Sequence, residues 1–213
     1  MNLRESLQLY FVMGSYNCDK HPALVLEQAL LGGVTMFQFR EKGMEGLEGD
    51  AKVELAHELQ RLCRKHGVPF IVNDDVELAL LMNADGVHIG QEDEPIEKVR
   101  RKIGNRILGV SSHDVNEARL ALDSGADYLG VGPMFPTNTK NNCREVRGPK
   151  IIQLIRTNGI DIPLVGIGGI HYSNASQVLE AGADGVAVIS AISKHPFRTE
   201  NLAQAVQQKL LRL

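Results

Sequence analysis

The sequence has no apolar run approaching the roughly 20 residues of a membrane-spanning helix, so a helical membrane protein is excluded as a first reading. Long basic or acidic runs are also missing, and the net charge is only −3. Nothing therefore predicts a broad surface for nucleic acid or membrane, and any anion must be held by a local cluster of charge. Cysteine is scarce: Cys18, Cys63 and Cys143 are odd in number, widely spaced and form no C-x-x-C pair. They exclude a disulfide frame and a zinc site and read as reduced thiols of a soluble cytoplasmic protein. There is no Pro/Ser-rich linker or low-complexity tract, and "MGSYNC" carries no G-x-G-x-x-G fingerprint after the first strand-like run. At the N-terminus only Leu9 to Met13 is apolar, with no small-residue cleavage site behind it, which predicts a first strand and not a signal peptide.

What the sequence does contain is a repeated layout. "NADGVHIG" from Asn83, "GADYLGVG" from Gly125 and "GADGVAVIS" from Gly182 each follow a helical pattern, and "LGGVTMFQF" is a looser version. In each, Gly or Asn suits a helix C-cap, Ala-Asp makes a short turn, and a β-branched run suits a strand buried on both faces. Eight such runs follow in order: from Leu9, Val34, Pro69, Asp85, Arg106, Asp127, Pro163 and Gly185. Between them, "PALVLEQALLGG", "DAKVELAHELQRLCRKHG" and "DVNEARLALDSGA" place apolar residues at i, i+3, i+4 and i+7. Asp114 is the expected N-cap of the last of these, with Asn116 as the alternative start, and a final helix is expected over Glu200–Leu211. Eight strand–helix units in 213 residues predict a single (β/α)8 barrel across 1–213, near the lower end of that fold's range of about 200 residues.

"MFQFREKG", Met36 to Gly43, sharpens the expectation. Alternation sends Phe37 and Phe39 to one face and Gln38, Arg40 and Lys42 to the other. In a barrel the aromatic pair meets the helices, and the polar row faces inward and climbs toward the catalytic rim. The amide of Gln38 suits either the site or barrel packing.

Active sites of such barrels lie at the C-terminal ends of the strands. Reading only those ends collects Arg40 and Lys42, then Asn73, Asp74 and Asp75, then Glu92 and Asp93, then Ser111, Ser112 and His113. Thr137, Thr139 and Lys140 follow strand six, Gly168 and Gly169 strand seven, and Ser190 strand eight. Gly168 and Gly169 with the end of strand eight match the backbone phosphate site that barrels place after strands seven and eight. Arg40, Lys42 and Lys140 suit phosphate oxygens, and Asp74 with Asp93 suits one magnesium ion completed by water and phosphate. Together these imply a diphosphate. Asp75, ahead of "VELALLMN", is expected to cap a helix, and "EDEP" leaves helix capping open for Asp93 as well. His88 inside strand four reads as a neutral core imidazole with one hydrogen bond, while His113 at the rim is the one histidine retained as a candidate acid or base.

"QFREKG", "PFIVNDD", "ADGVHIGQED", "ILGVSSH", "GVGPMFPTNTK" and "VGIGGI" together resemble the thiamine phosphate synthase family over nearly the whole chain. The resemblance implies a (β/α)8 barrel that joins a hydroxymethylpyrimidine diphosphate to a hydroxyethylthiazole phosphate with Mg²⁺. It implies that Arg40, Lys42, Asn73 and Lys140 hold the diphosphate, that Asp74 and Asp93 bind Mg²⁺, and that Gln38 faces the pyrimidine. Ser111 would lie near the leaving group and act in catalysis with Lys140. Thr137, Thr139, Gly169, Ile189 and Ser190 would hold the thiazole phosphate. The expected partners are two small phosphorylated substrates, with no nucleic acid, membrane or protein partner. Alternatives are a thiazole tautomerase on the same barrel, which tends to lack the second carboxylate loop and the full "NDD", and a non-catalytic sensor of a phosphorylated metabolite, which needs neither Asp74 nor Asp93.

Overall fold

The computed structural model describes residues 2–137 and 145–212. Its elements alternate along the chain: α1 (Leu3–Ser6), β1 (Leu9–Met13), α2 (Pro22–Leu31), β2 (Met36–Phe39), α3 (Gly49–His66), β3 (Phe70–Asn73), α4 (Val76–Leu81) and β4 (Gly86–Ile89). They continue with α5 (Ile96–Ile103), β5 (Ile107–Ser112), α6 (Val115–Asp123), β6 (Tyr128–Val131), α7 (Lys150–Thr157), β7 (Leu164–Ile167), α8 (Ala175–Glu180), β8 (Gly185–Val188), α9 (Ser190–Ser193) and α10 (Thr199–Leu210). The strands form one closed parallel barrel in sequence order, with β1 pairing both β2 and β8. The (β/α)8 architecture expected from the eight apolar runs is the one observed. Among the described residues no helix is long and apolar enough to cross a membrane.

Strand alternation divides the core in two. Phe11, Phe37, Phe39 and Phe70 point outward into the layer between barrel and helices, where Phe37 and Phe70 lie 5.8 Å apart between centroids. Each such ring, fully buried, contributes about 1.5–3 kcal/mol. Tyr10, Met36, Ile71, Tyr128, Val165 and Ala187 fill the barrel itself, and Leu7 and Leu3 of the α1 segment close its lower end. Helix α1 is absent from the sequence expectation because four residues are too few for a 3.6-residue period to register. It is started by Asn2, whose side chain accepts from the Arg4 N–H, and fixed by ion pairing of Arg4 with Asp184.

The repeated layout has a physical cause at the base of the barrel. Asp85, ahead of β4, accepts from the Phe70 N–H at 2.8 Å. Asp127, ahead of β6, accepts from Leu108 N–H at 2.8 Å, and Asp184, ahead of β8, accepts from Leu164 N–H at 2.8 Å. In the looser copy the Thr35 hydroxyl, ahead of β2, accepts from Leu9 N–H at 2.9 Å. The residue leading each even strand thus satisfies a backbone donor at the start of the preceding odd strand. Two of these aspartates are clamped in turn by arginines, Arg100 on Asp127 and Arg156 on Asp184. Asn83 opens one copy at φ 50°, a left-handed conformation that asparagine tolerates better than most side chains.

Helix starts agree with the sequence to within a residue. Asp114 caps α6 by accepting from Glu117 N–H at 2.9 Å, so the alternative start at Asn116 falls inside the helix. The final helix runs one residue earlier than expected, Thr199–Leu210.

Candidate active site at the strand C-termini

The polar row of Gln38, Arg40 and Lys42 lies as alternation requires. Gln38 is buried inside the barrel and donates to the Tyr10 hydroxyl at 2.7 Å. One step higher, the Arg40 N–H donates to the Met13 carbonyl at 2.9 Å, which carries the β1–β2 pairing up to the rim. The Arg40 guanidinium donates to the Tyr16 hydroxyl at 2.5 Å, and Tyr16 comes from a 3-10 turn, Ser15–Asn17, after β1. Burial raises the Tyr16 pKa, so the phenol stays neutral beside the cation. Glu41, between the two cations, accepts from Ser15 N–H at 2.8 Å, Ser15 Oγ at 2.6 Å and Leu47 N–H at 2.9 Å. It ties the loop after β1 to the loop after β2. Sequence reasoning missed Tyr16 and Glu41, and the acid enclosed between two bases in "REK" was the available signal.

Lys42 continues across the rim to the next two strand ends. Its ammonium pairs closely with Asp74 and lies 3.5 Å from Asp93 Oδ1. Desolvation works to lower the Lys42 pKa, but Asp74 and Asp93 outweigh it and the net direction is up. Asp74 sits at φ 61° in a tight turn in which Asp75 N–H donates to the Asn73 carbonyl at 2.7 Å. A side chain held at positive φ is the kind of strain that clusters at functional sites. Asp93 accepts from Gly90 N–H at 2.6 Å, and α5 starts three residues later with Pro95 before its first turn. The carboxylate therefore shapes its own loop and faces Asp74, and it does not cap α5. Asp75 does cap α4, accepting from Leu78 N–H at 3.0 Å. Burial and the neighbouring carboxylate push Asp74 up. In Asp93 the burial effect is overcome by hydrogen bonds from Asp74 and Gly90 N–H and by Lys42, so its pKa is lowered. Among the described residues no group of three or more His, Cys, Asp or Glu side chains could hold a metal. A cation here would take two protein carboxylates and complete its shell from water and substrate oxygens, the habit of magnesium.

Ser111 stands near the end of β5, half-buried, with Oγ 3.0 Å from His88 Nε2. The second ring nitrogen, Nδ1, lies 2.9 Å from the Tyr128 hydroxyl, so the imidazole has at least two side-chain contacts among the described residues where one was expected. Gln91, also missed from the sequence, donates to the Ser111 carbonyl at 2.6 Å and fixes the loop after β4 against β5. His113 Nδ1 lies 2.7 Å from Glu117 on the first turn of α6.

The opposite side of the rim is built from backbone. Gly168 and Gly169 have φ of 101° and 64°, and a Cβ on Gly169 would stand 2.6 Å from the Pro136 carbonyl oxygen. That close approach packs the loop after β6, with Thr137, against the end of β7. Ile189 precedes α9, and Ser190 is its first, exposed residue, beside β7 through the β7–β8 pairing. Thr139 and Lys140 lie outside the described residues. The rim thus has a charged side over β2–β4 and a glycine-rich side over β7–β8.

A family model described as thiamine monophosphate synthase matches residues 9–192. The chain belongs to this family. A thiamine-phosphate synthase of Geobacillus thermodenitrificans is 56% identical over 213 residues, covering 99% of this chain and 96% of the relative. The corresponding protein of Geobacillus kaustophilus is 59% identical over 194 residues, covering 91% and 88%. Among solved structures, a thiamine phosphate pyrophosphorylase from Pyrococcus furiosus superposes with a TM-score of 0.87 at 37% identity, covering 98% of this chain and 100% of that one. Family membership makes this chain an enzyme of the transferase class that joins thiamine precursors.

Proposed function

We propose that the protein condenses hydroxymethylpyrimidine diphosphate with hydroxyethylthiazole phosphate, giving thiamine phosphate and pyrophosphate, with Mg²⁺ held between Asp74 and Asp93. The observation that carries this reading is the Lys42–Asp74–Asp93 cluster beside Arg40 on one side of the rim. Cations and a carboxylate pair at one place suit a diphosphate with a divalent ion, and neither a tautomerase nor a sensor needs the pair. Magnesium, when bound, supplies positive charge that offsets the diphosphate.

The chemistry asks for little acid–base assistance. The bond from the pyrimidine methylene to the diphosphate oxygen breaks, and its electron pair leaves with pyrophosphate. The amino group of the pyrimidine stabilises the methylene cation. The thiazole nitrogen then supplies its lone pair to form the new C–N bond, and no proton has to be removed from it. Arg40, held by Tyr16, and Lys42 stabilise the departing anion, with Asn73 and Lys140 assigned the same task by the family resemblance. Gln38 presents its amide beneath the pyrimidine. Thr137, Thr139, Gly169, Ile189 and Ser190 hold the thiazole phosphate across the rim, bringing the nucleophile over the reacting carbon. The test is to mix the protein with both precursors and Mg²⁺ and to look for thiamine phosphate by chromatography; its absence overturns the proposal.

A further inference from the structure

Four buried side chains connect the interior of the barrel to Ser111 in one unbroken line. Gln38 Nε2 donates to the Tyr10 hydroxyl at 2.7 Å, the Tyr10 and Tyr128 hydroxyls are 2.7 Å apart, Tyr128 lies 2.9 Å from His88 Nδ1, and His88 Nε2 lies 3.0 Å from Ser111 Oγ. Gln38, Tyr10, Tyr128 and His88 are all less than 9% exposed. Room for the line has been cleared in the strands: a Cβ on Gly109 would overlap the Tyr128 ring, and one on Gly130 would stand 3.0 Å from His88 Cε1.

Only one arrangement of this line uses every buried proton. Each hydroxyl has one proton, and a neutral imidazole donates from one nitrogen and accepts at the other. A hydroxyl also has two acceptor lone pairs, so Tyr10 could accept from both Gln38 and Tyr128, but its own buried proton would then have no acceptor on the line. The Gln38 nitrogen decides, because an amide N–H2 donates and does not accept. With Gln38 donating to Tyr10, the Tyr10 proton finds an acceptor only on Tyr128, and the Tyr128 proton then goes to His88 Nδ1. His88 then carries its proton on Nε2 and donates to Ser111 Oγ.

We infer that this line holds His88 as the Nε2–H tautomer and so turns the Ser111 O–H away from His88 and toward the rim. Tyr128 and His88 are positioning residues that act through Ser111. The serine is left with its proton free to donate toward the anion-binding side of the site, and one of its two acceptor lone pairs is occupied by His88. The opposite polarity would spend the serine proton on His88 and turn lone pairs toward incoming phosphate oxygens. The catalytic consequence rests on the proposed function, since it takes the anion to be the departing diphosphate.

The tautomer can be read without turnover. Two-bond ¹⁵N–¹H correlation spectra of the histidine-labelled full chain distinguish Nε2–H from Nδ1–H imidazoles, and His88→Gln identifies the His88 signals by their loss. Wild type is expected to show a single Nε2–H tautomer at His88. Tyr10→Phe cuts the link to Gln38, so Tyr128 can then either donate to Nδ1 or accept from it, and Tyr128→Phe removes the proton that fixes Nδ1; both should give a mixture. With both precursors and Mg²⁺, Tyr128→Phe should lower kcat roughly 10-fold with KM little changed, as for a donor displaced but not removed. An Nδ1–H tautomer in wild type, or an unchanged tautomer in Tyr128→Phe, overturns the polarity. A shifted tautomer with unchanged kcat overturns the positioning role. If wild type makes no thiamine phosphate, the proposed function fails while the spectra still decide the polarity.

Discussion

Asp74 and Asp93 close the C-terminal ends of neighbouring strands within hydrogen-bond reach of each other, and they bind protons unequally, Asp74 held above the ordinary carboxylate range and Asp93 below it. Two carboxylates so close cannot both be ionised cheaply, and the repulsion is relieved by a proton, by the Lys42 ammonium or by a cation. The pair is thus strained toward binding positive charge.

Asp93→Asn removes the repulsion while an amide oxygen still accepts from Gly90 N–H. Magnesium-dependent turnover should fall by about 100-fold, the scale of losing a metal-site or transition-state contact, with the melting temperature nearly unchanged. The Asp74 carboxyl should move down toward its ordinary pKa, read by ¹³C titration. The sign follows from linkage: a raised carboxylate stabilises the fold at low pH and loses that contribution as pH rises through its folded pKa. Relieving Asp74 favours the fold near neutrality, while the lost Asp93 carboxylate, whose lowered pKa stabilised it there, disfavours it, so the two offset and the melting temperature changes little. Unchanged turnover would sink the metal assignment.

Arg40→Ala should weaken pyrimidine diphosphate binding by about 1.5–3 kcal/mol, the range for hydrogen bonds to charged groups, and leave thiazole phosphate binding nearly as it was. Calorimetry with each ligand separately makes the comparison. Equal losses would refute a rim divided into a charged side and a backbone side. Tyr16→Phe should show a smaller loss on the same ligand, because it frees the guanidinium without deleting it.

Asp75 offers a control on the same loop. Burial tends to raise its pKa, but the Lys52 ammonium at 2.6 Å and the Leu78 N–H outweigh that, and the carboxyl is lowered. A lowered carboxylate stabilises above its unfolded pKa and loses the contribution as pH falls through its folded value. Asp75→Ala should cost about 1 kcal/mol at neutral pH through the lost cap, with little added by the half-exposed ion pair. The difference from wild type should narrow in acid as the charge is lost, with the neutral carboxyl still able to accept from Leu78 N–H, as urea melts at several pH values would show.

The barrel was legible because its strands are buried on both faces and its helices carry an apolar stripe, two local patterns that survive without knowledge of the partners. The same locality made Arg40, Lys42, Asp74, Asp93 and Ser111 readable, since each stands where a strand runs out. Tyr16 and Glu41 were hidden because what they do is join loops that are distant in sequence. His88 was half-read: a polar residue inside a strand is visible, but its line to Tyr10 and Tyr128 depends on which side chains the barrel closure brings together. The short helix α1 left no periodic trace at all.

The base of the barrel should behave oppositely to the rim. Asp127 accepts from the Leu108 N–H and pairs with Arg100 at 2.5 Å, far along the strands from Ser111 and Asp93. Asp127→Ala leaves the buried Leu108 donor unsatisfied, a cost of about 1–3 kcal/mol. Asp127→Asn keeps an acceptor for that donor and should recover most of the loss, because a partly exposed ion pair contributes little by itself. Neither change should alter kcat or KM for either precursor once the protein is folded. Denaturant melts paired with steady-state kinetics check both halves, and a fall in kcat comparable to that of Asp93→Asn would mean that the two ends of the barrel are not functionally separate.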